Sequence, residues 1–194
     1  MIATMKPKDE KKLQAVIAAT CRLAAERGLF GLTLAEIAKA AGIGTSTLYV
    51  YFADKESLFN DVYRRAKREA IDFYSGEDNS SAPLKRRVHN LWNKALDHRL
   101  HRFDQAAFME QFVNSSFMSD DSRAYTLRIS EGLMQIVIEG QREEILKAVP
   151  IPFLSSTLFG SVRETARLIR AGSVADTEEN RNIAFQLCWD GIRA

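Results

Sequence analysis

Between Thr45 and Tyr51 the chain reads TSTLYVY, with hydroxyl-bearing side chains at Thr45, Ser46, Thr47, Tyr49 and Tyr51. Small hydroxyls at the start of a helix suit phosphate oxygens, because the exposed N–H groups and the helix dipole already favour an anion there. Tyrosines can rest against a thymine methyl or reach a phosphate. Leu48 and Phe52 are four apart and can be buried together, which leaves the five hydroxyl residues largely outside. A polar helical hairpin that never meets DNA would carry the same pattern.

Other residues with chemical potential are scattered. His98 and His101 lie three apart near Asp97 and Asp104, but a zinc site needs three or four converging ligands, and HRLHRFD also suits a solvated helix end. Cys21 and Cys188 sit far apart in apolar helical patterns, as reduced, buried cysteines do. Glu110, Glu131, Glu139 and Glu164 could pair a cationic ligand if buried, although charged residues on helices are usually exposed. No Gly-rich phosphate loop, nucleophile elbow or Cys–His constellation is present, so no catalytic set, metal site or cofactor is expected.

The elements that would position TSTLYVY are short. Thr33 with Glu36 forms a capping box ahead of an apolar run, so a helix starts there. Leu34, Ile37, Ala38 and Ala41 give it one apolar face, and Gly42 supplies the left-handed stop. Gly44 to Thr47 open a second short helix ending near Phe52. Asp54 caps a third that begins at Lys55 and runs to about Tyr74. Two short helices around a Gly-containing corner make a helix-turn-helix, whose second helix is shaped for a major groove. Leu13, Val16, Ile17, Leu23 and Ala24 form a bracing first helix that stops at Gly28. Lys6, Lys8, Lys11 and Lys12 make a basic N-terminal arm, either solvated or laid against phosphates or a minor groove. Arg64, Arg65, Lys67 and Arg68 read as a solvated face.

The chain has 194 residues and a net charge of +2. Residues 1–70 hold 12 Lys/Arg against 8 Asp/Glu, so the basic excess sits with the helix-turn-helix. No apolar run approaches the ~20 residues of a membrane span, and the charged start lacks a signal segment. A cytoplasmic protein with no membrane partner is expected.

The stretch TLAEIAKAAGIGTSTLYVYFADKESLF resembles the signature of the tetracycline-repressor (TetR) family of bacterial transcription regulators, densely so from Val16 to Tyr63. The final LCWDGI is similar to many family C-termini. The resemblance implies DNA contacts at Thr33, Gly44, Thr45, Ser46, Thr47, Tyr49, Tyr51 and Lys55. Many members carry Ser at the place of Gly44 and Gly at the place of Ser46, so this chain departs from them at both positions.

Beyond a polar break at 75–82, everything reads as helix: about 84–96, 104–117, a long one from Asp120 or Asp121 to the prolines at 150 and 152, 153–171, and a last one capped by Thr177. The expected fold is all-α, with about nine helices: a head over residues 1–54 and an effector-binding and dimerisation body over 55–194. Trp92, Phe108, Phe112 and Met134 have core spacing, but the same residue types line ligand pockets in helical bundles. The resemblance implies a small-molecule effector between these helices. Leu158, Phe159 and Val162 form one late apolar stripe, and Leu187 and Trp189 belong to another. These stripes either close the body's core or form a four-helix interface between two copies, and the resemblance implies the homodimer. The expected function is a ligand-responsive regulator, a repressor of a palindromic operator in double-stranded DNA. A helical small-molecule enzyme and a protein-interaction module using the head are the alternatives, and steep salt dependence of binding separates DNA from both.

Overall fold

The structure, a computed structural model, describes residues 7–75 and 81–194, with side-chain surroundings from Glu10 onward. Lys6, the side chain of Lys8 and the centre of the expected break, 76–80, lie outside the described residues. Among the described residues there are ten helices: α1 Pro7–Arg27, α2 Leu34–Ala40, α3 Thr45–Tyr51, α4 Lys55–Ser75, α5 Leu84–His101, α6 Phe103–Val113, α7 Asp120–Ile129, α8 Glu131–Arg142, α9 Ile151–Arg170 and α10 Glu178–Ile192. Among the described residues there is no strand beyond a single antiparallel bridge between Leu146 and Arg193. None of these helices is long and apolar enough to cross a membrane.

The tenth helix corrects the expectation of nine. The stretch after Asp120 does not run on to Pro150; it breaks at Ser130 and stops again at Arg142. The second stop is a Schellman turn. Glu144 takes the left-handed conformation (φ 57°). Its N–H donates to Gln141 O at 3.1 Å, and Ile145 N–H donates to Gly140 O at 2.9 Å. This reversal folds Leu146 back against Gly140, where an added Cβ would lie 2.6 Å from side-chain atoms of Leu84 and Leu146. Pro152 does not precede α9 but sits in its first turn, where its missing N–H costs nothing.

The chain divides into two compact units, residues 7–68 with 103–126, and 69–102 with 127–194. The first surrounds a core of Val16, Ile37, Leu48, Phe59, Tyr63, Phe108 and Phe112. The second is built on α5, α9 and α10 around Trp92, Leu96, Leu158, Val162, Phe185 and Trp189. The packing unit that holds the helix-turn-helix therefore draws in α6 and the turn after it. Two side-chain amides make that attachment polar as well as apolar. Gln111 donates to Ala24 O at 3.0 Å and accepts from Leu29 N–H at 2.9 Å, closing the end of α1. Asn60, buried on α4, donates to Phe117 O at 2.8 Å and to Glu56 O at 2.9 Å. Its oxygen accepts from the hydroxyls of Ser119 and Ser122, each at 2.7 Å, and from Ser119 N–H. Both N–H donors and the oxygen of that amide are satisfied, as a buried amide requires.

Candidate nucleic-acid interface

The capping box forms as the sequence predicts. Thr33 Oγ1 accepts from Glu36 N–H at 3.3 Å, and the Glu36 carboxylate accepts from Thr33 N–H at 3.0 Å. The Thr33 hydroxyl proton is itself directed at Glu36 Oε2, 2.7 Å away, and these bonds hold the Glu36 carboxyl below its ordinary range. Thr33 is thus exposed, but its donors are committed to starting α2. At the corner Gly42 has φ 69°, and Ile43 N–H returns to Ala38 O at 3.0 Å. That reversal presents α3 at a fixed angle to α2, as a helix-turn-helix needs.

α3 is held by Leu48, which is fully buried, and its N-terminal residue Gly44 offers no side-chain cap. At about 100° per residue, Thr45, Tyr49, Ser46 and Val50 share one arc of roughly 140°, and all four are exposed. Thr47 and Tyr51 fall on the opposite side of the axis and are half-buried, Tyr51 against the first core. The outward face thus contains Thr45, Ser46 and Tyr49 from the predicted set, and Gly44, the N-cap, is exposed ahead of them. It also contains Val50, 81% exposed, which is not among the predicted contacts. Its position in the helical arc was the available signal.

Lys55 is placed differently from the expectation of a phosphate contact. Its ammonium donates to Phe30 O and Leu32 O, each at 3.1 Å, and lies 4.9 Å from the centre of the Phe117 ring. It fastens the loop before α2 from the first turn of α4. Asp54 caps that helix as expected, accepting from Ser57 N–H at 2.7 Å.

The four residues predicted to line one effector pocket are not brought together. Phe108 and Phe112 are fully buried in the first unit, stacked on each other at 5.7 Å and packed on Phe59 and Tyr63. Trp92 is fully buried in the second unit, donating to Ser161 Oγ at 2.8 Å. Met134 is half-buried in that unit. Three of the four fill cores because their apolar surface and polar atoms are already satisfied by neighbours. The second unit does contain a cavity of about 180 Å³, whose lining includes Leu91, Leu133 and Ile136 together with Tyr74, Arg87 and Lys94. Arg87 is buried and paired with Glu139 at 2.7 Å. Burial pushes the Tyr74 phenol up to about 12, so it stays a neutral donor. His98 is buried near the rings of Phe73 and Tyr74, at 5.7 and 5.6 Å, whereas His101 is exposed. Among the described residues no three His, Cys, Asp or Glu side chains are grouped to hold a metal.

The late apolar stripes divide in the same way. Leu158, Val162 and Trp189 are buried in the chain's own core, which corrects their assignment to an interface between copies. Phe159 and Leu187 from that set are exposed, and Phe153 and Ile183 join them, with Leu187 at 72% and Phe153 at 66%.

Comparison with known proteins agrees with this geometry. Residues 16–62 match the family model described as bacterial regulatory proteins, tetR family. The chain is 26% identical over 167 residues to the fatty acid metabolism regulator protein of Bacillus subtilis, covering 83% of this chain and 84% of that protein. A TetR family transcription regulator from Marinobacter aquaeolei superposes with a TM-score of 0.91 at 27% identity, over 97% of this chain and 99% of that one. The fold is also shared, with a TM-score of 0.70 at 22% identity over 92% and 98% of the two chains, by the transcriptional regulator FadR from Bacillus subtilis, solved in complex with stearoyl-CoA. A helix-turn-helix with an exposed second helix, carried on an all-α chain of this fold, defines a DNA-binding transcription regulator. Residues 16–62 match the DNA-binding segment of the tetR family, and the whole chain shares the fold of TetR family regulators.

Proposed function

We propose that this chain is a homodimeric repressor that binds a palindromic operator and releases it when an acyl-bearing, anionic effector enters the second unit. The observation that carries the DNA reading is the outward arc of α3, four exposed side chains on a helix whose opposite side is anchored by a fully buried Leu48. Two such helices, one from each copy, would enter successive major grooves about 34–36 Å apart. Pairing of copies is supported by Phe153, Phe159, Ile183 and Leu187, large apolar groups exposed on the two last helices. The effector class is supported by the named relatives and by the cavity chemistry: apolar side chains, a neutral phenol donor and Lys94 in one lining. At about 180 Å³ the cavity is smaller than the ~300–1,000 Å³ usual for a drug-sized ligand, so it suits part of an acyl effector rather than the whole of one. Release requires the effector to favour a state with lower operator affinity.

The test is selection of bound sequences from random duplex DNA, followed by titration of the complex with coenzyme A, acyl-CoAs of increasing chain length and free fatty acids. A palindromic motif released by acyl-CoA but not by coenzyme A alone is expected, with weaker release for Lys94→Ala. Selection without any motif would overturn the DNA reading, and a motif released by none of these compounds would overturn the effector class.

A further inference from the structure

The outward arc of α3 has an unusual chemical make-up for a helix that reads bases. Bidentate base recognition needs Arg or Lys toward guanine, or Asn or Gln toward adenine. Thr45, Ser46, Tyr49 and Val50 include none of these, and α3 as a whole carries no charged or amide side chain. Lys39, exposed in the last turn of α2, lies on the helix that in this motif crosses the DNA backbone. The three hydroxyls of the arc can each both donate and accept, so they do not distinguish one base edge from another. The groups that can discriminate are apolar: the isopropyl of Val50, 81% exposed, and the ring of Tyr49, 55% exposed. In the major groove the matching apolar feature is the 5-methyl of thymine.

Building on the DNA-binding reading, we infer that this regulator recognises its half-site chiefly through thymine methyl groups, with Val50 as the specificity-determining residue and Tyr49 beside it. Hydroxyl contacts from Thr45 and Ser46 position the helix and tolerate any base. Sequence preference at positions that α3 does not touch would come from the deformability of the DNA.

The experiment uses the full-length protein and the duplex obtained by selection. Each thymine in a half-site is replaced in turn by deoxyuracil, which keeps the pairing and loses the methyl. Each guanine is replaced by 7-deazaguanine, which loses the N7 acceptor of a bidentate contact. Affinities are measured by fluorescence anisotropy for the parent and for Val50→Ala, which alters an exposed side chain and leaves the core intact. Burying one methyl is worth about 0.8 kcal/mol, so one or more deoxyuracil positions should weaken the parent about fourfold. At the position facing Val50 that loss should shrink to under twofold in Val50→Ala, since the partner of the methyl is gone. The inference is overturned if no deoxyuracil position matters, if the selected half-site holds no thymine, or if the deoxyuracil losses are undiminished in Val50→Ala. A tenfold loss at a 7-deazaguanine with no coupled deoxyuracil effect would likewise overturn it. Failure to select any shared motif would remove the DNA reading beneath it, a different result from a motif indifferent to its methyls.

Discussion

Lys55, expected from the sequence to meet a phosphate, has other partners within the chain. The residue opens a helix beside the recognition helix, where a cation and a phosphate would suit each other. Its ammonium instead meets two carbonyls of the loop at Phe30 and Leu32 and the face of Phe117. Lys55→Met should therefore cost about 1–2 kcal/mol of stability, the value of charge-assisted bonds discounted for a half-exposed site, read as a lower midpoint in urea. A phosphate contact would remove roughly 0.9 from the slope of log affinity against log salt; the slope of Lys55→Met should stay within about 0.3 of the parent. His98 gives a second residue-scale expectation. Burial lowers its pKa, the Glu69 carboxylate opposes that shift and Arg102 adds to it, and its Nε2 has no hydrogen-bond partner among the described residues. The unfolded chain then binds the proton more readily than the folded one, so this group's effect is harmless above the ordinary histidine pKa of ~6.5 and destabilising as pH falls below it. Urea midpoints should drop between pH 7 and pH 5 in the parent and drop less in His98→Gln. An equal fall in both proteins would place the acid sensitivity elsewhere.

At the scale of elements, legibility followed the local signals. The capping box at Thr33 and the cap at Asp54 use short-range patterns, and both were read from spacing alone. So was the stop at Gly42, because glycine marks a left-handed position by its chemistry. The stop after Arg142 uses the same turn with Glu144 in the left-handed place, where the residue type carries no signal, and the helix was read as continuous. Asn60 was missed for a related reason. A single amide on an amphipathic helix looks solvent-facing until the turn after α6 and the first turn of α7 supply Phe117 O, Ser119 and Ser122, some sixty residues away. Likewise Phe108 and Phe112 have the composition of a pocket lining, and only packing against Phe59 and Tyr63 makes them core. The Glu144 turn yields a test. Glu144→Gly removes the steric cost of the left-handed conformation, offset in part by added freedom in the unfolded chain. It should raise stability by about 0.5–1 kcal/mol in urea unfolding, whereas the same change at Glu143, whose φ is −88°, should lower it.

At the scale of the whole molecule the question is how one short recognition helix gains enough affinity. α3 offers four outward side chains and no charge, so a single head should bind weakly and owe much of its affinity to phosphates. Joining two heads makes the second engagement intramolecular and can raise the apparent affinity by about 10²–10⁴ without any new kind of contact. Leu187 is the residue to change. It is 72% exposed on α10, four residues beyond Ile183 at 53%, so it supports no internal packing and presents an apolar stripe with its neighbour. Val162, which pattern alone puts in the same interface, is 3% exposed, and a charge there would disrupt the chain's own core. Leu187→Asp should strand a carboxylate between copies, and the expected outcome is a monomer by light scattering with the parent's helical circular dichroism. Its operator affinity should fall by at least a hundredfold, while binding to a single half-site duplex should stay within twofold of the parent. A Leu187→Asp protein that remains dimeric and keeps full operator affinity would move the contact between copies away from this face of α10.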